Sequence, residues 1–561
     1  MKKSLSQAIA LATLVGGAAT AQAAIQVNHE GLGGALVYPL YTVNEGNTSL
    51  VSVVNTTEQY KAVKVRFVEA KNSAEVLDFH LYLSPKDVWS GTIVPTATGA
   101  KLVSNDRSCI AGVSANDGTF PKDGLAFRTE QIDMDEDRLS NPEHKSSQAE
   151  KIARVRVGHF EAIEMGTIDY DSSAVPPANL TGAARTPAGS TTLLEAIKHV
   201  DGVPGSCDAV TAWWTGTLDM TLTDRDNQLG SNAATTTTTT ITEPTGGLYG
   251  TGGIVNVPAG WAASFDAVAL HDPALPIPEA FYATAQHPRP GSIYPHLGTV
   301  THTTQYPIDG DAGFATGVYV VPSDVKLDEV TQALDVAGIY NDYYVEPALD
   351  AGTELVVTFP TKRFYTFETE DADDTGLRYI YTESNYTAVG TGLDATYPNN
   401  GTATAATDPE GLGWAKTVAD GASPVTAGYA GKSVFEKRWD NVAKKSPVAF
   451  VSPTLYGKDE QEQFASDGFI SPRPIITGQL DLNYEANVIT LNGSNALGAS
   501  GLVGVNVETP FMEGWLELDR KAGWSTAGVP AVGFGVITTK NGVSADGALR
   551  NFAQTFKHKT Y

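Results

Sequence analysis

The chain has 561 residues, 42% of them hydrophobic and 18% charged, with 64 acidic side chains against 38 basic ones and a net charge of −26. That hydrophobic share is enough to bury a core, and the length fits about two to four domains. A surface this acidic repels nucleic acid and anionic lipid, which excludes both as ready partners.

Residues 1–23 read as a secretory signal peptide. Lys2 and Lys3 form a positive start, residues 8–15 an apolar core, and Ala21-Gln22-Ala23 a small-residue cleavage site, so the mature chain is predicted to begin at Ala24. The apolar core falls short of the ~20 residues that span a bilayer, and no later stretch reaches ~18, so no membrane span is expected after cleavage. Ala24 and Ile25 stand where a lipid-anchored chain would need a cysteine. The expected destination is the periplasm, the cell surface or the medium. A transmembrane β-barrel is a rival, because such strands give weak signals and end on an aromatic residue, as Tyr561 does; Lys557 and Lys559 stand against it, on one face of the last strand. Export also explains the cysteines: Cys109 and Cys207, the only two, are predicted to form one structural disulfide.

Taken in order, the elements are strands. Residues 50–54 are followed by Val63-Lys64-Val65-Arg66-Phe67 and Leu77-Asp78-Phe79-His80-Leu81-Tyr82-Leu83, whose period-two alternation predicts strands with one buried face. A turn-prone Asn72-Ser73 lies between them, and Ser84-Pro85-Lys86-Asp87 precedes Trp89, a short spacing that suits a sandwich. Residues 154–163 read as a later strand of the same unit, with Gly158 marking a bulge. A helix is predicted over 323–337 from Leu327, Val330, Leu334 and Ala337, and a shorter one over 192–199. Further strands are expected at 314–320, 355–359, 480–484, 516–518 and 532–536. Residues 235–247 and 387–411 have linker or loop composition, and no fixed repeat is present.

The predicted fold class is therefore all-β: two or three immunoglobulin-like β-sandwich domains with long loops and few short helices. Residues 24–175 form the first sandwich, with a polar insertion at 106–150. Residues 176–365 form a second β-rich domain containing a Thr-rich linker at 231–247, and residues 366–561 a third.

Chemistry is sparse. No nucleophile elbow, zinc-binding His-Glu-x-x-His, phosphate loop or Ser-x-x-Lys set occurs. Asp133, Asp135 and Asp137 resemble the start of a calcium loop, which needs alternate oxygen ligands on one tight turn, but Arg138 occupies the glycine position. Asp309 and Asp311 form a second short acidic candidate for Ca²⁺, and 368–374 an acidic run that reads as a wet face. His271, His287, His296 and His302 cluster without the spacing of a metal motif. Trp213 and Trp214 are the candidate sugar-stacking pair, since adjacent strand residues point to opposite faces; the other tryptophans read as core.

Several segments resemble a group of secreted proteobacterial proteins. They are residues 34–42, 53–57, 62–67, 75–85 and Val357-Thr358-Phe359-Pro360-Thr361-Lys362-Arg363-Phe364-Tyr365, with Glu485-Ala486-Asn487-Val488 and residues 530–534 near the end. The resemblance implies a Gram-negative exported protein and assigns no chemistry. The functional expectation is a non-catalytic cell-surface or periplasmic component, structural or adhesive, forming homo-oligomers with Ca²⁺ as the candidate bridging ion. A polysaccharide-binding module is the alternative, and a hydrolase whose carboxylate pair is brought together by the fold comes third.

Overall fold

Two antiparallel sheets packed on one core organise the N-terminal half, and the alternation seen in the sequence decides which side chains line it. The computed structural model describes residues 25–113, 118–137, 142–168, 193–210, 241–287, 294–307, 314–322, 324–366, 479–499, 502–507, 511–520, 528–543 and 549–560, with short pieces between 369 and 464 and Gly547. The signal peptide, most of the Thr-rich linker and the 387–411 stretch lie outside these residues.

The first sheet has eight strands. Tyr60–Glu69 lies between Val157–Ile168 and Glu75–Leu83; Ala35–Thr42 pairs on the far side of Val157–Ile168, and the short strands Gln26–Val27 and Ile110–Ala111 close the two edges. The second sheet has six, in the order Trp261–Asp266, Leu248–Asn256, Asn47–Asn55, Val88–Thr96, Gly99–Val103 and Leu125–Ala126. Val63, Val65, Phe67, Phe79, Phe160 and Leu81 face Val51, Val53, Trp89, Ile93, Leu102 and Ile254 across the interior. Burying side chains of this size contributes about 1.5–3 kcal/mol each, which is what holds the two sheets together. Gly158 does mark a bulge: register shifts between Gly158 and Phe160, and a Cβ at Gly158 would lie 1.9 Å from the Val68 carbonyl oxygen.

The strand pairing runs across the expected boundaries at 175 and 365. Strands Leu248–Asn256, Trp261–Asp266 and Val268–His271 return to complete the first sandwich. Gly338–Tyr344 and Gly352–Thr358 become internal strands of two five-stranded C-terminal sheets, pairing with Glu513–Asp519 in one and with Ala486–Leu491 and Val532–Val543 in the other. Those sheets enclose a second core built on Leu355, Val357, Phe359, Phe450, Leu482, Leu516 and Leu518. Val356, Val488, Phe534 and Val536 point the other way and join the first core, where Phe534 stacks on Phe265 at 4.4 Å.

The other expected strands are present as Phe314–Pro322, Gln479–Leu482 and those just named, and the helices as Asp324–Ala333 and Leu193–Ile197. The Cys109–Cys207 disulfide forms, with Cα atoms 5.1 Å apart, and is buried. It ties the edge of the eight-stranded sheet to the segment that follows Leu193–Ile197. No helix among the described residues is long and apolar enough to cross a membrane.

Candidate functional site

The alternating strands, predicted to have one buried face, are buried on their charged side as well. Lys64 and Arg66 on Tyr60–Glu69, Asp78, His80 and Tyr82 on Glu75–Leu83, and His159 and Glu161 on Val157–Ile168 share the outer face of the eight-stranded sheet. A cover built from Phe281, Tyr282, His287, His296, Leu297 and Val330 lies over that face, so Lys64, His80 and His159 are 0% exposed. Burial of so many ionisable groups is costly unless each finds a partner.

Most of them do. Lys64 contacts Asp78, Arg66 Nε donates to Glu75 at 2.7 Å, and Arg66 Nη1 lies 3.8 Å from Glu161. Lys61 Nζ bonds Glu164 at 2.7 Å, and Glu164 also accepts the backbone N–H groups of Thr245 at 3.0 Å and Gly246 at 2.6 Å. His80 packs against His287, whose Nε2 is 3.3 Å from the Tyr82 hydroxyl. Burial pushes the Glu161 carboxyl up to about 7 against the pull of Arg66. Burial likewise lowers Lys64 to about 7 and His159 to about 3, and holds His80 and His296 well below the usual range. The direct contact with Asp78 opposes this by favouring the charged form of Lys64. The downward direction favours the neutral form of His80, His159 and His296. Neither ring nitrogen of His159 has a hydrogen-bond partner among the described residues.

A second buried network joins the two halves of the molecule. Glu69 accepts from Arg154 Nη2 at 2.8 Å and Nε at 3.1 Å and from the N–H groups of Lys71 and Asn72, and Arg154 Nη1 reaches Glu136 at 3.1 Å. Arg363 forks both Asp135 oxygens at 3.1 Å and also donates to the Asn72 carbonyl at 3.0 Å. Beside it, Lys362 donates to the carbonyls of Asn483 and Tyr484, at 3.3 and 3.0 Å. Burial raises the neighbouring Glu485 to about 8.

These contacts also settle where the expected calcium ligands lie. Asp133, Asp135 and Asp137 belong to the helix Glu130–Asp137 instead of a tight loop, and alternate helical positions diverge around the axis. Asp133 contacts Lys151 and Asp135 holds Arg363, so two of the three carboxylates are already committed to bases. Among the described residues no group of three or more His, Cys, Asp or Glu could hold a metal ion. His287 and His296 are buried as described, while His271 Nδ1 lies 3.0 Å from the Pro278 carbonyl. Asp309, Asp311, Trp213 and Trp214 lie outside the described residues. Sequence reasoning missed Lys362 and Arg363 as parts of a network; their only signal was a pair of bases following a strand and a turn.

Among the described residues, two sheet surfaces expose large side chains. On the outer face of the six-stranded sheet the register aligns Tyr249, Val54 and Val88 in one row, Thr251, Ser52 and Ser90 in the next, then Gly253, Leu50 and Thr92. Leu50 is 42%, Val88 51% and Tyr249 40% exposed. The second surface belongs to a C-terminal sheet: Trp515, 40% exposed, stacks on Tyr456 at 4.1 Å and meets Tyr340 edge-on at 5.7 Å. Carboxylates flank it, with Asp342 opposite Trp515, Glu513 contacting Lys458, and Glu517 accepting from the Tyr456 hydroxyl at 3.2 Å.

The fold thus defines a mostly β protein of stacked antiparallel sheets, closed by one disulfide and by buried ion pairs. Comparison with protein-family models, with curated proteins and with solved structures finds no match.

Proposed function

We propose that this chain is an exported, non-catalytic structural or adhesive component of the cell surface or periplasm, acting by association through its sheet faces. The observation that carries the reading is the outer face of the six-stranded sheet, where Tyr249 and Val88 are exposed at the two ends of one row, with Val54 between them, and Leu50 is exposed two rows further along the same strands. A face that exposes large apolar side chains among uncharged ones is a candidate interaction surface. The buried ionisable groups fit the same reading, because their contacts brace the frame: Arg363 with Asp135, Arg154 with Glu69, and Lys61 with Glu164. An immunoglobulin-like character of the N-terminal sandwich belongs to this proposal too, two sheets on one core being a common scaffold for display. Fractionation of cells producing the full chain tests it. Recovery in the envelope or medium is expected; recovery as cytoplasmic protein contradicts it.

A polysaccharide-binding role is the second reading, favoured by the Tyr340, Trp515 and Tyr456 strip with its flanking carboxylates. Aromatic rings stack on sugars and carboxylates accept sugar hydroxyls. Retention on insoluble polysaccharide that is lost in Trp515→Ala supports this reading, and equal retention of the two proteins removes it.

A further inference from the structure

We propose that the occupant of the open face of the six-stranded sheet is a second copy of this chain, in an isologous, face-to-face dimer; the inference rests on the associative reading above and names its partner. The first argument is charge. The chain carries −26, so two copies repel over most of their surface. The outward residues of the three central strands, Thr48 to Val54, Val88 to Val94 and Tyr249 to Val255, carry no ionisable group except the Tyr249 phenol. On the flanking strands, charge enters as Asp266 opposite Thr251 on one edge and Lys101 opposite Val94 on the other. A two-fold axis lying between the faces and along the strands places the Asp266 edge of one copy over the Lys101 edge of the other. The same face therefore removes repulsion at its centre, while the two rim charges stay two rows, about 13 Å, apart along the strands and do not pair.

The second argument is size. Five strands about 4.8 Å apart, each offering about four outward residues spaced about 6.7 Å, make a surface of about 600 Å². Two such faces bury about 1,200 Å², the lower limit for a specific interface, so association is expected in the micromolar range. Packing at the usual ~10 Å between sheets suits the small Ser, Thr, Gly and Val side chains that predominate there. The Ser52 and Thr251 hydroxyls already bond each other at 2.9 Å, so covering them leaves neither unpaired.

Sedimentation velocity of the purified chain over about 1–100 µM tests the proposal. Wild type is expected to pass from monomer to dimer, more readily as sodium chloride screens the net charge. Leu50→Glu and Val88→Glu each place a charge in the interface and are expected to weaken dimerisation at least ~10-fold. Phe552→Glu, an equally surface-located change on a C-terminal strand, should leave it unchanged. Calcium at matched ionic strength should act no differently from sodium. A wild-type monomer at every concentration, dimers indifferent to Leu50→Glu and Val88→Glu, or growth only with calcium each overturns the proposal. In all three cases recovery of the chain from the envelope still stands as support for the broader associative reading, whereas cytoplasmic recovery ends that reading whatever the dimer does.

Discussion

Glu161 and the histidines around it set how this protein responds to acid, and they act in opposite directions. An unfolded histidine titrates near 6.5 and an unfolded glutamate near 4.3. His80, His159 and His296 are held below their unfolded value, so the unfolded chain takes up more protons from them and stability is lost as pH falls below about 6.5. Glu161 is held above its unfolded value, at about 7, so between about 4.3 and 7 the folded state binds the extra proton and gains stability as pH falls. Glu161→Gln removes that opposing contribution. Urea unfolding at pH 5, 6 and 7 is expected to show a steeper acid loss in the variant, by up to about 1.4 kcal/mol per pH unit; parallel or shallower dependence in the variant contradicts the assignment. Arg363 makes a different prediction. It forks Asp135 in a buried site, and Arg363→Ala leaves that carboxylate without its base, which should cost about 3–5 kcal/mol in the urea midpoint analysis. Arg363→Lys should recover only part of this, since a single ammonium cannot reproduce two parallel donors.

At the scale of elements, the disulfide and the strand alternation carry the account. Cys109 and Cys207 lie 98 residues apart in sequence, and cross-linking them restricts the unfolded chain over a long loop. The Cys109→Ser, Cys207→Ser double variant is expected to lose about 2–5 kcal/mol and to melt earlier by calorimetry; an unchanged melting temperature would place the stability of that edge elsewhere. The bridge itself was legible in the sequence because only two cysteines were present in a chain read as exported. The strands were legible because alternation is local: Tyr60–Glu69, Glu75–Leu83 and Val532–Val543 all contain their predicted cores. What alternation cannot reveal is what covers the other face. Lys64 and Arg66 looked solvated because their pairing partners, Asp78, Glu75 and Glu161, lie on other strands, and the cover comes from residues 281–297 and the helix Asp324–Ala333. Asp133, Asp135 and Asp137 misled for the same reason, since the bases that hold the first two, Lys151 and Arg363, are 18 and 228 residues away.

Over the whole molecule, sheet pairing takes little notice of sequence proximity. Strands from 248–271 complete a sandwich begun at residue 26, and Val356, Val488, Phe534 and Val536 from the C-terminal half enter its core. Arg363 and Arg154 then lock the two halves through the helix Glu130–Asp137 and the turn after Glu69. The frame tied this way leaves Leu50, Val88 and Tyr249 of the six-stranded sheet exposed on its outer side, the surface on which the proposed association rests. The most direct test of that account is the clumping of cells that produce the full chain, compared with cells producing Leu50→Glu and Trp515→Ala at equal envelope levels. The account predicts settling of the wild-type and Trp515→Ala cells and dispersed Leu50→Glu cells; equal settling of all three, or none in the wild type, would contradict it.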